Sequence, residues 1–268
     1  MQAKGCHMKS WVKLGAVLLS CSVLGWACSR EQDRGPAQTA PPAAVEATAP
    51  TPAGQPAAVE SAGNIAGKVI YKGTWKPSAI AVSRDQEICG KEKMDPSLVI
   101  SSQGGVQNAV VYIKGIQNGK KLEPQKVTLD QKGCEYRPHV LAFPAGSTVE
   151  ILNPDGILHN VHSQSTANSP FNLAQPKFKP TMEVKIEKPE IIQVKCDVHP
   201  WMSGWFFVAE NSYYSVTDNN GGFSLADVPP GKYVVQLWHE KLGTQTQEVQ
   251  IEPNGKSEVN FELAAPAT

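Results

Sequence analysis

The sequence has no excess charge of either sign. Among its 268 residues, 25 Lys and Arg balance 25 Asp and Glu, so the formal net charge is zero. With no basic stripe, nothing in it points to a nucleic-acid partner. It also lacks helical patterning: no segment keeps apolar residues at helical spacing over three turns, which removes the helical fold classes. Nor is the apolar run of 14 residues from Leu14 to Ala27 long enough to cross a bilayer comfortably. Methionine and histidine are scarce, at five and six.

The N-terminus points out of the cell. A short cationic stretch, Met8 to Lys13, precedes the apolar run, which ends at Ala27 and Cys28. That order is the layout of a secretory signal. Residues 1–28 resemble a bacterial lipoprotein signal, and the resemblance implies a lipid on Cys28 and a membrane anchor. Ala27 suits the position before the cysteine; Trp26 and Gly25 do not, and Cys21 is a rival with a shorter apolar run before it. Cleavage near Ala27 without lipid, or an uncleaved anchor, are the alternatives. The expected location is the periplasm or cell surface. Residues 29–62, rich in Ala, Pro, Thr, Gln and Glu, have no apolar period and read as a disordered spacer.

From Gly63 onward, β-branched and aromatic stretches alternate with Gly, Pro, Asn and Asp. Strands are expected over 65–71, 109–114, 148–152, 182–186, 191–195, 205–208, 231–239 and 256–263. The fold class is all-β, built of sandwiches.

Four residues carry a ligand pattern. Cys196, His199 and Met202 form Cys-x2-His-x2-Met on one short loop, and His159 lies 37 positions upstream of the cysteine. Two imidazoles and a thiolate, with a weak axial thioether, form the donor set of a mononuclear blue-copper centre. The region from Cys134 to Val208 resembles the cupredoxins, and within them the amicyanins. The short spacing between His199 and Met202, the run His159-Asn160-Val161-His162, and the stretch from Pro138 to Asp155 carry the likeness. It implies a Greek-key sandwich, one copper held by His159, Cys196, His199 and Met202, and a role for Asn160 in tying the two ligand loops together. It further implies that His199, Pro200 and Trp201 sit at an apolar face where electrons leave, with Trp201 either exposed for docking or packed under the loop. His162 falls on the opposite side of its strand and reads as structural or solvent-facing; His139 is an outside candidate for a second site, and His239 reads as structural.

The stretch from Ser215 to Gly243 resembles the second half of a carboxypeptidase regulatory-like domain, a transthyretin-like sandwich. Asp218 to Gly222 and Pro229-Pro230-Gly231 supply its turns. A matching first half appears upstream, at Gly67 to Ile70 and Asn108 to Ile113. The expected organisation therefore nests one domain in another: 63–117 and 211–264 form the outer sandwich around a cupredoxin at 118–210. Two domains in series is the alternative. No Ser-His-Asp set or paired carboxylates in the outer module stand out.

The cysteine count bears on the same question. With Cys6 and Cys21 in the signal and Cys28 lipidated, Cys89, Cys134 and Cys196 remain. If Cys196 binds metal, Cys89 and Cys134 can pair in an oxidising compartment or remain as buried thiols. The expected function is one-electron transfer with redox proteins of the cytochrome or dehydrogenase class, rather than enzymatic catalysis. No His-x-His pair is present for a catalytic copper, and no second cysteine adjoins Cys196 for a binuclear one. Copper capture or delivery is the rival, though the scarcity of Met and His speaks against exposed clusters of that kind.

Overall fold

A computed structural model describes residues 61–264. The signal, Cys28 and nearly all of the spacer lie outside the described residues. Among those described, no helix is long and apolar enough to cross a membrane.

The fold is all-β. The chain begins with β1 (Gly63–Tyr71), β2 (Ala79–Ala81), a single-turn helix α1 (Gln86–Cys89), β3 (Glu92–Met94) and β4 (Val110–Ile113). Next come β5 (Lys126–Asp130), β6 (Val140–Pro144), β7 (Ser147–Leu152), β8 (His159–Ser163) and β9 (Asn172–Gln175). After them run β10 (Thr181–Ile186), β11 (Glu190–Lys195) and β12 (Ser203–Ala209). The last part holds β13 (Tyr214–Val216), β14 (Gly222–Val228), β15 (Gly231–His239), β16 (Gly243–Ile251), β17 (Lys256–Glu258) and β18 (Phe261–Leu263).

Pairing sorts these strands into two sandwiches. In one, β14-β1-β17, with β18 also on β1, faces β13-β4-β15-β16 across a core of Ile65, Val69, Val111, Phe223, Leu237 and Phe261. In the other, β10-β7-β5 faces β6-β12-β11-β8-β9 across Phe143, Ile151, Ile192, Val194 and Phe206. The second set lies between β4 and β13 in sequence, while the first draws on both ends of the described chain.

Period-two alternation explains how the two meet. Val111 and Ile113 of β4 point into the first core, while Val110 and Tyr112 point the other way. On β12, Phe206 and Val208 face the second core, and Phe207 and Ala209 turn outward to meet Val110. Tyr112 and Phe207 pack at 4.9 Å between ring centroids, and Trp205 and Trp238 at 5.1 Å. Because both faces of β4 and β12 are covered, their sequences read as continuous apolar runs rather than alternations.

The expected strand at 256–263 is two strands. Val259 breaks it, sending its amide to the Ala66 carbonyl. Its own carbonyl lies where a Cβ on Gly67 would come within 1.7 Å, so position 67 admits only glycine. Strand β16 was not anticipated: Gly-Thr-Gln-Thr-Gln-Glu is polar throughout, and its first six residues are exposed. Its pairing with β15 and the Gln side chains that bond the Asn260 and Glu262 carbonyls place it.

Two histidines serve the architecture. His139 Nδ1 contacts the Ser203 carbonyl and its Nε2 meets Glu240, so it joins the two sandwiches and stands apart from the candidate metal group. His239, 1 % exposed, accepts amide protons from Lys241 and Leu242 at Nδ1. Burial depresses its pKa from 6.5 to about 4, with His139 adding to the shift and Glu240 opposing it. The unfolded chain takes up a proton here between those two values and the folded chain does not, so stability falls as pH falls through that window. Denaturant unfolding between pH 7 and 4 should show a loss of at most about 3 kcal/mol attributable to this group, and His239→Gln should flatten the slope.

Candidate metal centre

Sheet register brings the ligand segments together. Strands β8 and β11 pair antiparallel with His162 opposite Lys195 and Ser163 opposite Val194. Continuing that register carries position 159 level with residue 198, inside the β11–β12 loop. His159 opens β8, and Cys196, His199 and Met202 all lie on that loop. Two backbone bonds tighten it: Cys196 N–H donates to the Met202 carbonyl at 3.1 Å, and Met202 N–H to the His199 carbonyl at 2.9 Å.

Three donors converge. Nδ1 of His159 and Nδ1 of His199 face each other at 2.9 Å, and Cys196 Sγ lies 3.7 Å from His199 Nδ1. His159, Cys196 and His199 place one ligand atom each within 4.8 Å of the others. All are buried: both histidines have no exposed surface, Cys196 is 3 % exposed, and Met202, buried in the same apolar cluster, is 1 %.

Each imidazole is held from behind by a carboxylate. His159 Nε2 meets Asp155 Oδ2 at 2.9 Å, and His199 Nε2 meets Asp85 Oδ2 at 3.0 Å. A carboxylate accepts, so both Nε2 atoms carry the hydrogens and both Nδ1 atoms present lone pairs. Two lone pairs at 2.9 Å beside a sulfur repel unless a cation lies between them. Burial and the facing His199 lower the pKa of His159 despite Asp155. A soft metal ion fits the donor set.

Burial raises the Cys196 pKa, an effect that amides of Asn160, His199 and Val198 directed at the sulfur partly offset. Asp155 behaves in the opposite way. Burial by itself pushes its pKa up, but amides of Gly133 and Cys134 and the His159 ring together bring it down. The nearby Cys134 sulfur is not a free ligand, since Cys89 and Cys134 form a disulfide with Cα atoms 5.2 Å apart. Cys196 is the free cysteine among the described residues.

Asn160 bridges the two ligand segments: its Oδ1 accepts the Asp197 amide at 2.7 Å, and its Nδ2 donates to Asn172 and Asp197. His162 pairs with Asp197 on the far side of the strand. The expectation of an apolar exit face at His199 and Trp201 needs correction. His199 is enclosed, and Trp201, 8 % exposed, packs under the loop with its Nε1–H on the Cys134 carbonyl and its ring 5.0 Å from His199; only Pro200 is exposed.

Residues 208–264 match the carboxypeptidase regulatory-like domain. No curated protein matches the chain. Among solved structures, a copper-containing nitrite reductase from Thermus scotoductus is 26 % identical over 37 % of this chain, with a TM-score of 0.31; the chain spans 26 % of that enzyme's length. A Cu(I) amicyanin variant is 20 % identical over 31 % of this chain and 82 % of its own, with a TM-score of 0.29. A purple cupredoxin from Nitrosopumilus maritimus is 24 % identical over 32 % of this chain and all of its own, with a TM-score of 0.26.

Sequence reading missed the two carboxylates. Asp155 is four residues before His159, so its signal was local. Asp85 is 114 residues from its histidine, and nothing in its surroundings marks it. Replacing Asn160 with Ala leaves the Asp197 amide without its acceptor and unlinks the loops. The metal-free Asn160→Ala protein should lose about 1–3 kcal/mol in denaturant unfolding.

Proposed function

We propose that this protein is an exported, lipid-anchored one-electron carrier with a single mononuclear copper of the blue type. The observation that carries this reading is the facing pair of imidazole Nδ1 atoms beside a buried thiol, each ring fixed from behind by a carboxylate. His159, His199 and Cys196 would hold the ion, and Met202 would supply the axial thioether. Copper cycling between two oxidation states supplies the electron chemistry.

The chain's own residues account for the rest. Asp155 and Asp85 fix the ring orientation and keep each Nδ1 free of hydrogen. Asn160 keeps the two ligand segments in register, so the donors are set before an electron arrives. Trp201 and the apolar cluster exclude water. Such complete enclosure favours a carrier over a delivery protein, which must hand its ion across an exposed ligand. In this reading the copper domain is a cupredoxin nested within a transthyretin-like sandwich, and Cys28 and the spacer tether it to a bacterial membrane. Its partners are redox proteins of the cytochrome or dehydrogenase class.

Adding Cu(II) to the purified protein and recording the visible spectrum tests the reading. An intense thiolate-to-copper charge-transfer band is expected, and Cys196→Ser should abolish it. A protein that takes up copper without that band is not a blue-copper carrier. Because the metal displaces protons from Cys196 and competes with them at the histidines, the band should fade as pH is lowered.

A further inference from the structure

Asp85 does not behave as an ordinary helix N-cap. An aspartate in that position usually turns its carboxylate back onto the second or third amide of its helix. Asp85 makes no such bond, and its backbone sits in the left-handed region at φ 49° and ψ 36°, which few non-glycine residues adopt. The side chain reaches away from the helix instead, to His199 Nε2.

The segment around it is fastened to the metal site at further points. Arg84 Nη1 donates to the Val198 carbonyl at 3.2 Å, next to the ligand histidine. Val82 is buried in the apolar cluster that holds Cys196 and Met202. Cys89, which ends the helix, is bonded to Cys134. The Cys134 amide in turn donates to Asp155 Oδ2, the oxygen that also takes the His159 Nε2 hydrogen. One disulfide therefore joins the supports of both imidazoles. The whole segment lies between β1 and β4, strands of the other sandwich.

We infer that residues 79–94 are a clamp on the metal centre, with Asp85 as the positioning residue for His199. This inference rests on the copper reading above and deepens it. The clamp fixes the tautomer of His199, closes the ring's outer edge to solvent, and sets an anionic group one imidazole away from the ion. That placement favours the more highly charged state of the metal. The oxidised form binds more tightly and the reduction potential is held down.

The test uses the full chain. Cu(II) affinity by competition titration and reduction potential by equilibrium redox titration are measured for the wild type, Asp85→Asn, Asp85→Glu and Glu87→Gln. Asparagine keeps the size and an acceptor oxygen but removes the charge. Asp85→Asn should lose about tenfold or more in Cu(II) affinity and shift the potential upward. Asp85→Glu should restore part of both. Glu87→Gln, exposed on the same helix, should change neither. A wild type without the charge-transfer band overturns the copper reading and this inference with it. A wild type with the band, alongside an Asp85→Asn protein of unchanged affinity and potential, overturns the clamp alone.

Discussion

The constraint on which everything else depends is electrostatic. His159 and His199 point bare nitrogens at each other across 2.9 Å in a buried space beside the Cys196 sulfur. In water, solvent would separate and screen such groups. Here burial removes that relief, and the carboxylates behind the rings prevent the hydrogens from moving round to the inner side. The arrangement has a deficit of positive charge at its centre. One ion held by the three donors would meet that deficit, and the chemistry of the donors favours a soft transition metal over a hard one.

The fold supplies this arrangement through register and through coverage. The β8–β11 pairing aligns two distant segments at one end of a sheet, and backbone bonds within the β11–β12 loop fix the spacing of Cys196, His199 and Met202. The sheet that carries them is stiffened on its other face, where Phe207, Trp205 and Ala209 pack against Val110 and Trp238 of the other sandwich. The site is thus anchored at one end of a sheet whose β6 and β12 strands are covered on both faces.

Much of this was legible in the sequence, for identifiable reasons. The Cys-x2-His-x2-Met loop is local, so its spacing alone keeps Cys196, His199 and Met202 on one loop. Strands with β-branched runs, such as β1, β11 and β15, follow from composition. Other features depend on partners distant in the chain. Strand β16 is polar and exists because β15 lies beside it. Trp201 is buried against a distant part of the chain, its indole bonded to the Cys134 carbonyl 67 residues away. Asp85 acquires its role only when its turn is folded against His199. Val82 and Cys89 lie in a stretch expected to serve the outer sandwich, yet they pack into the core that surrounds the site. No periodicity marks a segment that belongs to one sandwich by sequence order and to another by contact.

The most direct test of the central claim is the identity of the atoms around the ion. Copper-edge X-ray absorption on the copper-loaded chain reads them without reference to partners or potential. The account predicts one short sulfur contact and two imidazole nitrogens. A shell of nitrogen and oxygen alone, with no sulfur, would contradict it.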